Sequence, residues 1–348
     1  MKKRILIAPL NWGLGHATRC IPIINQLITN HFTPVIASDG IALALLKKEF
    51  PTIETVELPA YDITYAKKGH FFKLKLLKDS PKLIKAIKAE KKATKAIIET
   101  HNIDGIISDN RLGVHSKKIP SVFITHQLQV LSGNTTWLST KMHQHIIEKF
   151  NQCWVPDHEN EPSLSGKLSH MKGIEIPLKY LGPLSRFERQ NVERTYDIMI
   201  LLSGPEPQRT FLEEKLLEIF KTDSRRILCV RGVIEKEQNT TTEGNLTITN
   251  FMTGKALENA LNASEFVLSR SGYTTVMDLS VLGKKSFFIP TPGQFEQEYL
   301  AERLDKLKLV PYCKQSEFTI DKLKNITAYK GLNGQNTTAN FKDLFSLF

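Results

Sequence analysis

A histidine in an early glycine-containing loop is the first residue of this sequence that could do chemistry. The loop, Asn11–Arg19, follows a short apolar run and precedes an amphipathic segment, so it is predicted to join the first strand to the first helix. Gly13 and Gly15 allow positive φ and a close backbone approach. His16 could take a proton from a hydroxyl group, because histidine is the side chain most often used as a general base near neutral pH. The alternative is that His16 only caps the helix.

A second predicted strand-to-helix loop, Ser269–Asp278, combines small residues with a helix start. A helix N-terminus favours anions, and the backbone N–H groups expected there belong to Ser271, Gly272, Tyr273 and Thr274. Asp278, about one turn into the helix, could accept hydrogen bonds from ribose hydroxyls. The alternative is an ordinary helix with a favourable early acid.

A third loop, Pro290–Ala301, follows a buried apolar run and is made rigid by prolines and a glycine. Glu296 and Gln297 would begin the helix after it, although a routine helix start with acids in its first turn fits equally. Ligands of open parallel sheets bind at the carboxyl ends of the strands. We therefore expect the loops of the two halves to face each other across a cleft.

These loops need a scaffold, and the apolar pattern predicts one of the α/β class with parallel, doubly wound sheets. Strands are predicted at 4–8, 34–37, 53–58, 105–108, 121–124 and 152–155, then at 197–202, 226–230, 246–250, 266–268 and 286–289. Helices are predicted at 19–29, 41–48, 83–100, 210–221, 255–263, 275–282 and 297–307. The rhythm predicts two Rossmann-like domains, residues 1–182 and 196–348, joined by a linker at 183–195. The last helix is expected to pack back on the first domain.

The composition is that of a folded protein with a positive surplus. The chain has 348 residues, 41% of them hydrophobic and 24% charged, which argues against disordered and fibrous classes. Its four cysteines form no CxxC pair, so neither a zinc site nor a redox motif is predicted. The N-terminal apolar run is shorter than that of a signal peptide, and no apolar stretch is long enough to span a membrane. We therefore expect a soluble, cytoplasmic protein.

The net charge of +11 is concentrated in one segment. Lys67–Lys95 holds eleven lysines against Asp79 and Glu90, a net charge of +9. Pro81 is expected to break this segment, and its second piece is predicted to be a helix with an apolar face formed by Leu83, Ile84, Ile87, Ile97 and Ile98. Two interpretations stay open, a solvated helix face and peripheral contact with an anionic membrane. Nucleic acid is not expected, because the lysines lack regular aromatic interleaving.

Three polar residues end predicted strands of the first half. Asp109 and Arg111 follow one strand, and His126 follows the next. They would either line a cleft for an acceptor molecule or form satisfied turns. No clustered pair of carboxylates suggests a required Mg²⁺ site.

In these motifs the sequence resembles the GT-B glycosyltransferases, in the branch that holds the bacterial N-acetylglucosaminyltransferase forming lipid II. Gly13–His16 matches that family's N-terminal loop, Ser269–Gly272 with Asp278 its donor-binding motif, and Pro290–Ala301 its third loop. The segments matching its interdomain arginine and its uracil contact are Gly182–Arg186 and Phe251–Met252. The sequence departs from the family by an Asp at 278 for Glu, by Leu300 for Asn, and by Ser203–Arg209 in place of a second glycine-rich loop.

The resemblance implies the GT-B fold and an inverting, metal-independent transfer from a UDP-sugar, with N-acetylhexosamine as the sugar, to a hydroxyl acceptor that could be lipid-linked. It implies no cofactor other than this co-substrate. His16 would be the base, Arg186 would neutralise the diphosphate, and the backbone at Met252 would recognise uracil. Asp278 would hold the ribose, and Gln297 the sugar or ribose edge. Membrane contact through Lys67–Lys95, the second interpretation of that segment, would make the protein peripheral to the inner membrane face.

Two alternatives of different classes stay open. A nucleotide-sugar hydrolase would use water as acceptor, and a non-catalytic binder would only hold the nucleotide sugar. The sequence leaves open the sugar, the base, the acceptor and the oligomeric state.

Overall fold

The computed structural model describes residues 2–61, 72–171, 173–233, 235–332 and 339–348. The chain forms two compact units. Unit 1 comprises Met1–Arg186 and Thr337–Phe348, and unit 2 comprises Phe187–Asn336. The change from one unit to the other therefore falls inside the segment expected to be a linker, and the end of the chain is part of unit 1.

Unit 1 is built on a seven-stranded sheet whose described pairs are all parallel. Its strands are β1 (Arg4–Pro9), β2 (Thr33–Ser38), β3 (Thr55–Glu57), β4 (Gly105–Asp109), β5 (Ser121–Ile124), β6 (Gln152–Val155) and β7 (Leu178–Tyr180). Its first helices are α1 (Gly15–Thr29), α2 (Gly40–Glu49), α3 (Phe72–Thr100) and α4 (Thr136–Ile147). The central strands are continuous apolar runs because apolar clusters cover both faces of the sheet.

The strand order of unit 1, β3-β2-β1-β4-β5-β6-β7, reverses direction between β1 and β4. At such a switch point the loops diverge and leave a crevice beyond the carboxyl ends of the strands. Pro9, the last residue of β1, pairs in register with Asp109, the last residue of β4. The sheet therefore brings the loop that carries His16 next to Asp109, although the two residues lie far apart in sequence.

Unit 2 has a six-stranded sheet in the order β10-β11-β9-β8-β12-β13. The pairs are parallel except for the hairpin of the edge strand β10 with β11. The strands are β8 (Tyr196–Leu201), β9 (Ile227–Val230), β10 (Thr240–Glu243), β11 (Leu246–Thr249), β12 (Ser264–Ser269) and β13 (Lys285–Phe288). The helices are α5 (Gln208–Phe220), α6 (Gly254–Asn262), α7 (Tyr273–Val281) and α8 (Phe295–Lys306). The switch point of this sheet lies between β8 and β12.

The last helix, α9 (Phe341–Phe345), belongs to unit 1. Phe341, Phe345 and Phe348 are buried in the apolar cluster beside α1 and β1. The ring centroids of Phe345 and Trp154 are 6.1 Å apart. Gly105 leaves room for the end of the chain, since a Cβ there would lie 2.3 Å from the ring of Phe348. Aromatic packing thus fixes α9 on unit 1.

The structure corrects the expectations for the lysine-rich segment. Helix α3 continues through Pro81, where a break was expected. A proline removes one backbone hydrogen bond and usually kinks or breaks a helix, but here residues on both sides of Pro81 belong to the same helix. Ile84 is 54% exposed, so it lies outside the buried face. Of the α3 side chains that the structure describes, 82–100, those of Ala86, Glu90, Thr94 and Ile97 are buried. Ile97 was expected on the apolar face, and Leu83, Ile87 and Ile98 are half-buried, so the correction concerns Ile84 and the two buried polar residues.

The first residues of the segment, 67–71, lie outside the described residues. The lysines from Lys82 to Lys95 are exposed. Among the described helices, none is long and apolar enough to cross a membrane.

Candidate active site

The histidine of the first loop lies in the first turn of α1, where it contacts a carboxylate from β4. The loop turns at Gly13, whose φ of +76° favours glycine. Leu14 is the N-cap of α1, so His16 does not cap the helix. Instead its Nδ1 lies 2.7 Å from Oδ1 of Asp109. This is the hydrogen bond that orients an imidazole for proton transfer.

The surroundings of Asp109 determine which ring nitrogen of His16 carries the proton. Arg19 donates to both carboxylate oxygens of Asp109, and its Nη2 also lies 3.0 Å from Nδ1 of His16. Arginine has no acceptor atom, and the carboxylate is the stronger acceptor for an N–H. We therefore assign the proton to Nδ1, which donates to Asp109. The remaining nitrogen, Nε2, then has its lone pair available to accept a proton.

Asp109 stays ionised over a wide range of pH. Its side chain is fully buried, and burial by itself raises the pKa, but Arg19 and then His16 lower it more strongly, so that the pKa is about 2. A carboxylate ionised at neutral pH stabilises the His16 imidazolium that forms when Nε2 gains a proton. The arrangement of His16 and Asp109 can therefore act as a general base.

Arg19 is the residue of this site that the sequence reasoning missed. Besides Asp109 it contacts His126, with Nη1 of Arg19 3.0 Å from Nδ1 of His126. Both side chains are buried, so Arg19 joins the ends of β4 and β5 to α1. A signal was present in the sequence, since Arg19 follows His16 at the spacing of one helical turn. His126 thus supports the site by its contact with Arg19, and Asp109 acts through its contact with His16.

Arg111 does not line an acceptor surface, because its side chain is fully buried in unit 1. Its guanidinium pairs with Glu90 at 2.9 Å and with Asp39, and Nε donates to the carbonyl oxygen of Pro9 at 3.0 Å. The contacts link α3 to the loops after β1 and β2. The expectation that Arg111 contacts an acceptor is therefore corrected: the alternative of a satisfied turn describes it better, and its role is to hold these loops together.

In unit 2 the donor-motif loop begins at the end of β12 and leads into α7. Gly272 is the N-cap of α7 and no side chain caps this helix. The side chain of Ser271 is fully buried and donates from Oγ to the carbonyl oxygen of Gln297 at 2.7 Å. Ser271 therefore offers a ligand only its backbone. The loop presents the N-terminus of a helix of unit 2 at the switch point of the sheet, the place where parallel sheets bind anions.

The third loop is held in place by Gln297. Its Oε1 accepts from the backbone N–H of Thr291 at 2.8 Å, and its Nε2 donates to Oε1 of Gln294 at 3.2 Å. The amide of Gln297 thus already has partners at both ends within its own loop. Glu296, at the start of α8, and Asp278, in the second turn of α7, are partly exposed.

Two further donor residues were predicted from the interdomain and uracil motifs. Arg186 belongs to unit 1, where its Nη1 lies 3.6 Å from Oε1 of Glu49. Met252 lies between β11 and α6, and its backbone N–H and C=O make no hydrogen bond to the described residues. Both assignments, and those of Asp278 and Gln297, stay predictions. In the described parts of the chain, no cluster of three or more His, Cys, Asp or Glu side chains could hold a metal ion.

Comparison with known proteins agrees with this architecture. Residues 211–342 match the Glycosyltransferase family 28 C-terminal domain, which is less than half of the chain. Two curated relatives are UDP-N-acetylglucosamine–N-acetylmuramyl-(pentapeptide) pyrophosphoryl-undecaprenol N-acetylglucosamine transferases. The one from Clostridium botulinum is 21% identical, over 93% of this chain and 92% of its own length. The one from Haemophilus ducreyi is 21% identical over 62% of this chain, and the match spans only 59% of the relative's length.

A solved structure shows the fold. UGT2 of Phytolacca americana, complexed with UDP-2-fluoro-glucose and pterostilbene, has a TM-score of 0.65 with this chain at 13% identity, covering 100% of this chain and 93% of its own. The fold is therefore GT-B, with two Rossmann-like parallel-sheet domains. The family match and the relatives agree with the predicted resemblance to glycosyltransferases. The predicted resemblance to the branch that forms lipid II is also confirmed.

Proposed function

We propose that this protein is an inverting glycosyltransferase that moves an N-acetylhexosamine from a UDP-sugar to a hydroxyl acceptor without a metal ion. The observation that carries the proposal is the contact of His16 with buried Asp109 at the switch point of unit 1. It leaves Nε2 of His16 as a general base. The donor class is supported by the names of the two relatives, which contain UDP-N-acetylglucosamine.

In the proposed reaction, Nε2 of His16 takes the proton of the acceptor hydroxyl. The acceptor oxygen forms a bond to the anomeric carbon while the bond from that carbon to the diphosphate breaks on the opposite face. The configuration is thereby inverted. The negative charge that develops on the leaving UDP is stabilised by the N-terminus of α7, and Asp109 stabilises the positive imidazolium.

The test is to incubate the full chain with UDP-N-acetylglucosamine, with and without a polyprenyl-diphosphate-linked sugar as the acceptor. Acceptor-dependent release of UDP, together with a new glycosidic bond of inverted configuration, is expected. Rapid release of free sugar without acceptor would show a nucleotide-sugar hydrolase instead. Binding without turnover in either arm would show a non-catalytic binder.

We further propose that unit 1 meets a lipid-linked acceptor at an anionic membrane surface, through the exposed lysines of α3 and the outer face of α4. Trp137, Leu138 and Met142 on α4 are 73%, 53% and 58% exposed. Burial and then the nearby charge of Lys91 on α3 lower the pKa of Lys149, which follows α4 by two residues. Exposed apolar side chains beside lysines are the composition that binds anionic bilayers.

Vesicle binding tests this surface. Reversing the exposed residues Lys88, Lys92 and Lys95 to Glu should weaken binding to vesicles of phosphatidylglycerol at least tenfold, because each lysine near such a surface contributes about 1 kcal/mol. The matched control reverses three exposed lysines of unit 2, Lys221, Lys236 and Lys314, and should change binding less than threefold. Equal losses in both variants would contradict a specific surface.

A further inference from the structure

Unit 2 contains a buried arginine whose partners are all neutral. Arg270 lies between β12 and α7, and its side chain is 1% exposed. Its Nη1 donates to the carbonyl oxygens of Ile289 at 3.0 Å and Pro290 at 3.1 Å. Its Nη2 donates to the carbonyl oxygen of Gln208 at 2.8 Å and to Oε1 of Gln315 at 2.9 Å.

No carboxylate among the described residues forms an ion pair with Arg270, and its buried Nε has no hydrogen-bond partner there. Burial lowers the pKa of Arg270 to about 10, so the guanidinium still carries its charge at neutral pH. Buried charges in proteins are ordinarily paired, because an uncompensated charge in a low-dielectric interior is costly. The counter-charge of Arg270 is therefore expected to come from outside the described chain.

The position of Arg270 indicates where that charge would bind. Its four acceptors lie at the end of β13, at the start of α5 and in the short 3₁₀ helix at Gln315. The residue that follows Arg270 is Ser271, which leads to the N-terminus of α7, a helix that no side chain caps. Arg270 thus lies directly behind the loop at the switch point of unit 2, and both features favour an anion on the same side of the sheet.

We propose that Arg270 is a positioning residue that makes unit 2 select nucleotides by their diphosphate. It joins the end of β13, the start of α5 and the 3₁₀ helix at Gln315 through backbone carbonyl oxygens and the Gln315 amide oxygen, and its uncompensated charge attracts the phosphates that complete the site. This inference rests on the proposed function, since it concerns the same donor site. It predicts that Arg270 affects the affinity for phosphates and not the affinity for the nucleoside.

The experiment compares the binding of UDP and of uridine to the full chain by isothermal titration calorimetry. In Arg270→Met, the affinity for UDP should fall at least tenfold, while the affinity for uridine changes less than twofold. Arg270→Lys keeps the charge and should retain UDP affinity within threefold. The control Gln315→Leu removes one neutral acceptor and should leave the ratio of the two affinities unchanged.

The outcomes separate the possibilities. An equal loss of UDP and uridine affinity in Arg270→Met would mean a purely structural role and overturn the inference, as would unchanged UDP affinity. If Arg270→Met does not fold, Arg270→Lys is the deciding variant. Because it keeps the positive charge, a selective loss of its UDP affinity would overturn the inference, and retained affinity would support it. Wild-type protein that binds no UDP would overturn the proposed function itself, and the inference with it.

Discussion

The switch points of the two sheets have related topology, but the charge of the buried arginine is compensated at one and uncompensated at the other. In unit 1 the buried arginine Arg19 meets the carboxylate of Asp109, and His16 completes a neutralised group. In unit 2, among the described residues, the buried arginine Arg270 meets only carbonyl and amide oxygens. The first arrangement fixes the tautomer of a base, and the second leaves a positive charge without a partner. A shared fold therefore gives one unit the features of a proton acceptor and the other those of an anion site.

A second buried arginine of unit 1, Arg111, shows the same contrast with Arg270. Arg111 of unit 1 contacts Glu90 and Asp39, so its charge is compensated by the protein. Arg270 is buried to a similar extent without a carboxylate. Burial of an arginine is therefore not in itself evidence for a ligand, and the identity of the acceptor atoms is the informative feature.

The largest expected effect is on the rate of transfer, when the general base His16 is removed. In His16→Ala, kcat for transfer should fall about 10²–10⁴-fold, the contribution typical of a general base. Unfolding temperature should fall only modestly, because Arg19 still pairs with Asp109 when His16 is removed. His31→Asn, at an exposed histidine with positive φ that Asn tolerates, is the matched control and should keep full activity. Full activity of His16→Ala with a good acceptor would show that His16 is not the base, and the contrast between a proton acceptor in unit 1 and an anion site in unit 2 would fail.

The two buried arginines should differ in their effect on stability. Arg111→Met leaves the carboxylates of Glu90 and Asp39 without their partner, so the free energy of unfolding should fall by about 3–5 kcal/mol. Arg270→Met leaves only neutral acceptors, and a smaller loss of about 1–3 kcal/mol is expected. Urea unfolding of the full chain measures both. A larger loss for Arg270→Met than for Arg111→Met would contradict the assignment of compensated and uncompensated charges.

Acid should weaken the site of unit 1 selectively. The folded pKa of Asp109, about 2, is below its ordinary value of 3.8, so its stabilisation is fully present above pH 4 and is lost as the pH falls towards 2. A shift of this size corresponds to about 2 kcal/mol. The difference in unfolding free energy between wild type and Asp109→Asn should therefore shrink between pH 4 and pH 2. A constant difference over that range would show that Asp109 is not held ionised by Arg19 and His16.

Much of the fold could be predicted from local patterns. Each predicted strand has a counterpart in the structure, because short apolar runs between turn signals are reliable signs of strands buried on both faces. The pattern missed β7, which has three residues, and β10, whose four residues are polar and exposed. On the buried face of α3 it wrongly included Ile84, which is exposed, and it could not show the burial of Glu90, which pairs with Arg111.

The sequence by itself determined the class of the protein and the loops that carry its candidate chemistry. His16 and the Ser269–Asp278 loop could be found there because glycine, small residues and helix starts are local features. Only the tertiary structure decided the partners. The parallel register of β1 and β4 brings Asp109 to His16, and burial separates Arg111, which pairs with carboxylates, from Arg270, which does not. Charge compensation depends on distances between residues far apart in sequence, and no local pattern contains them.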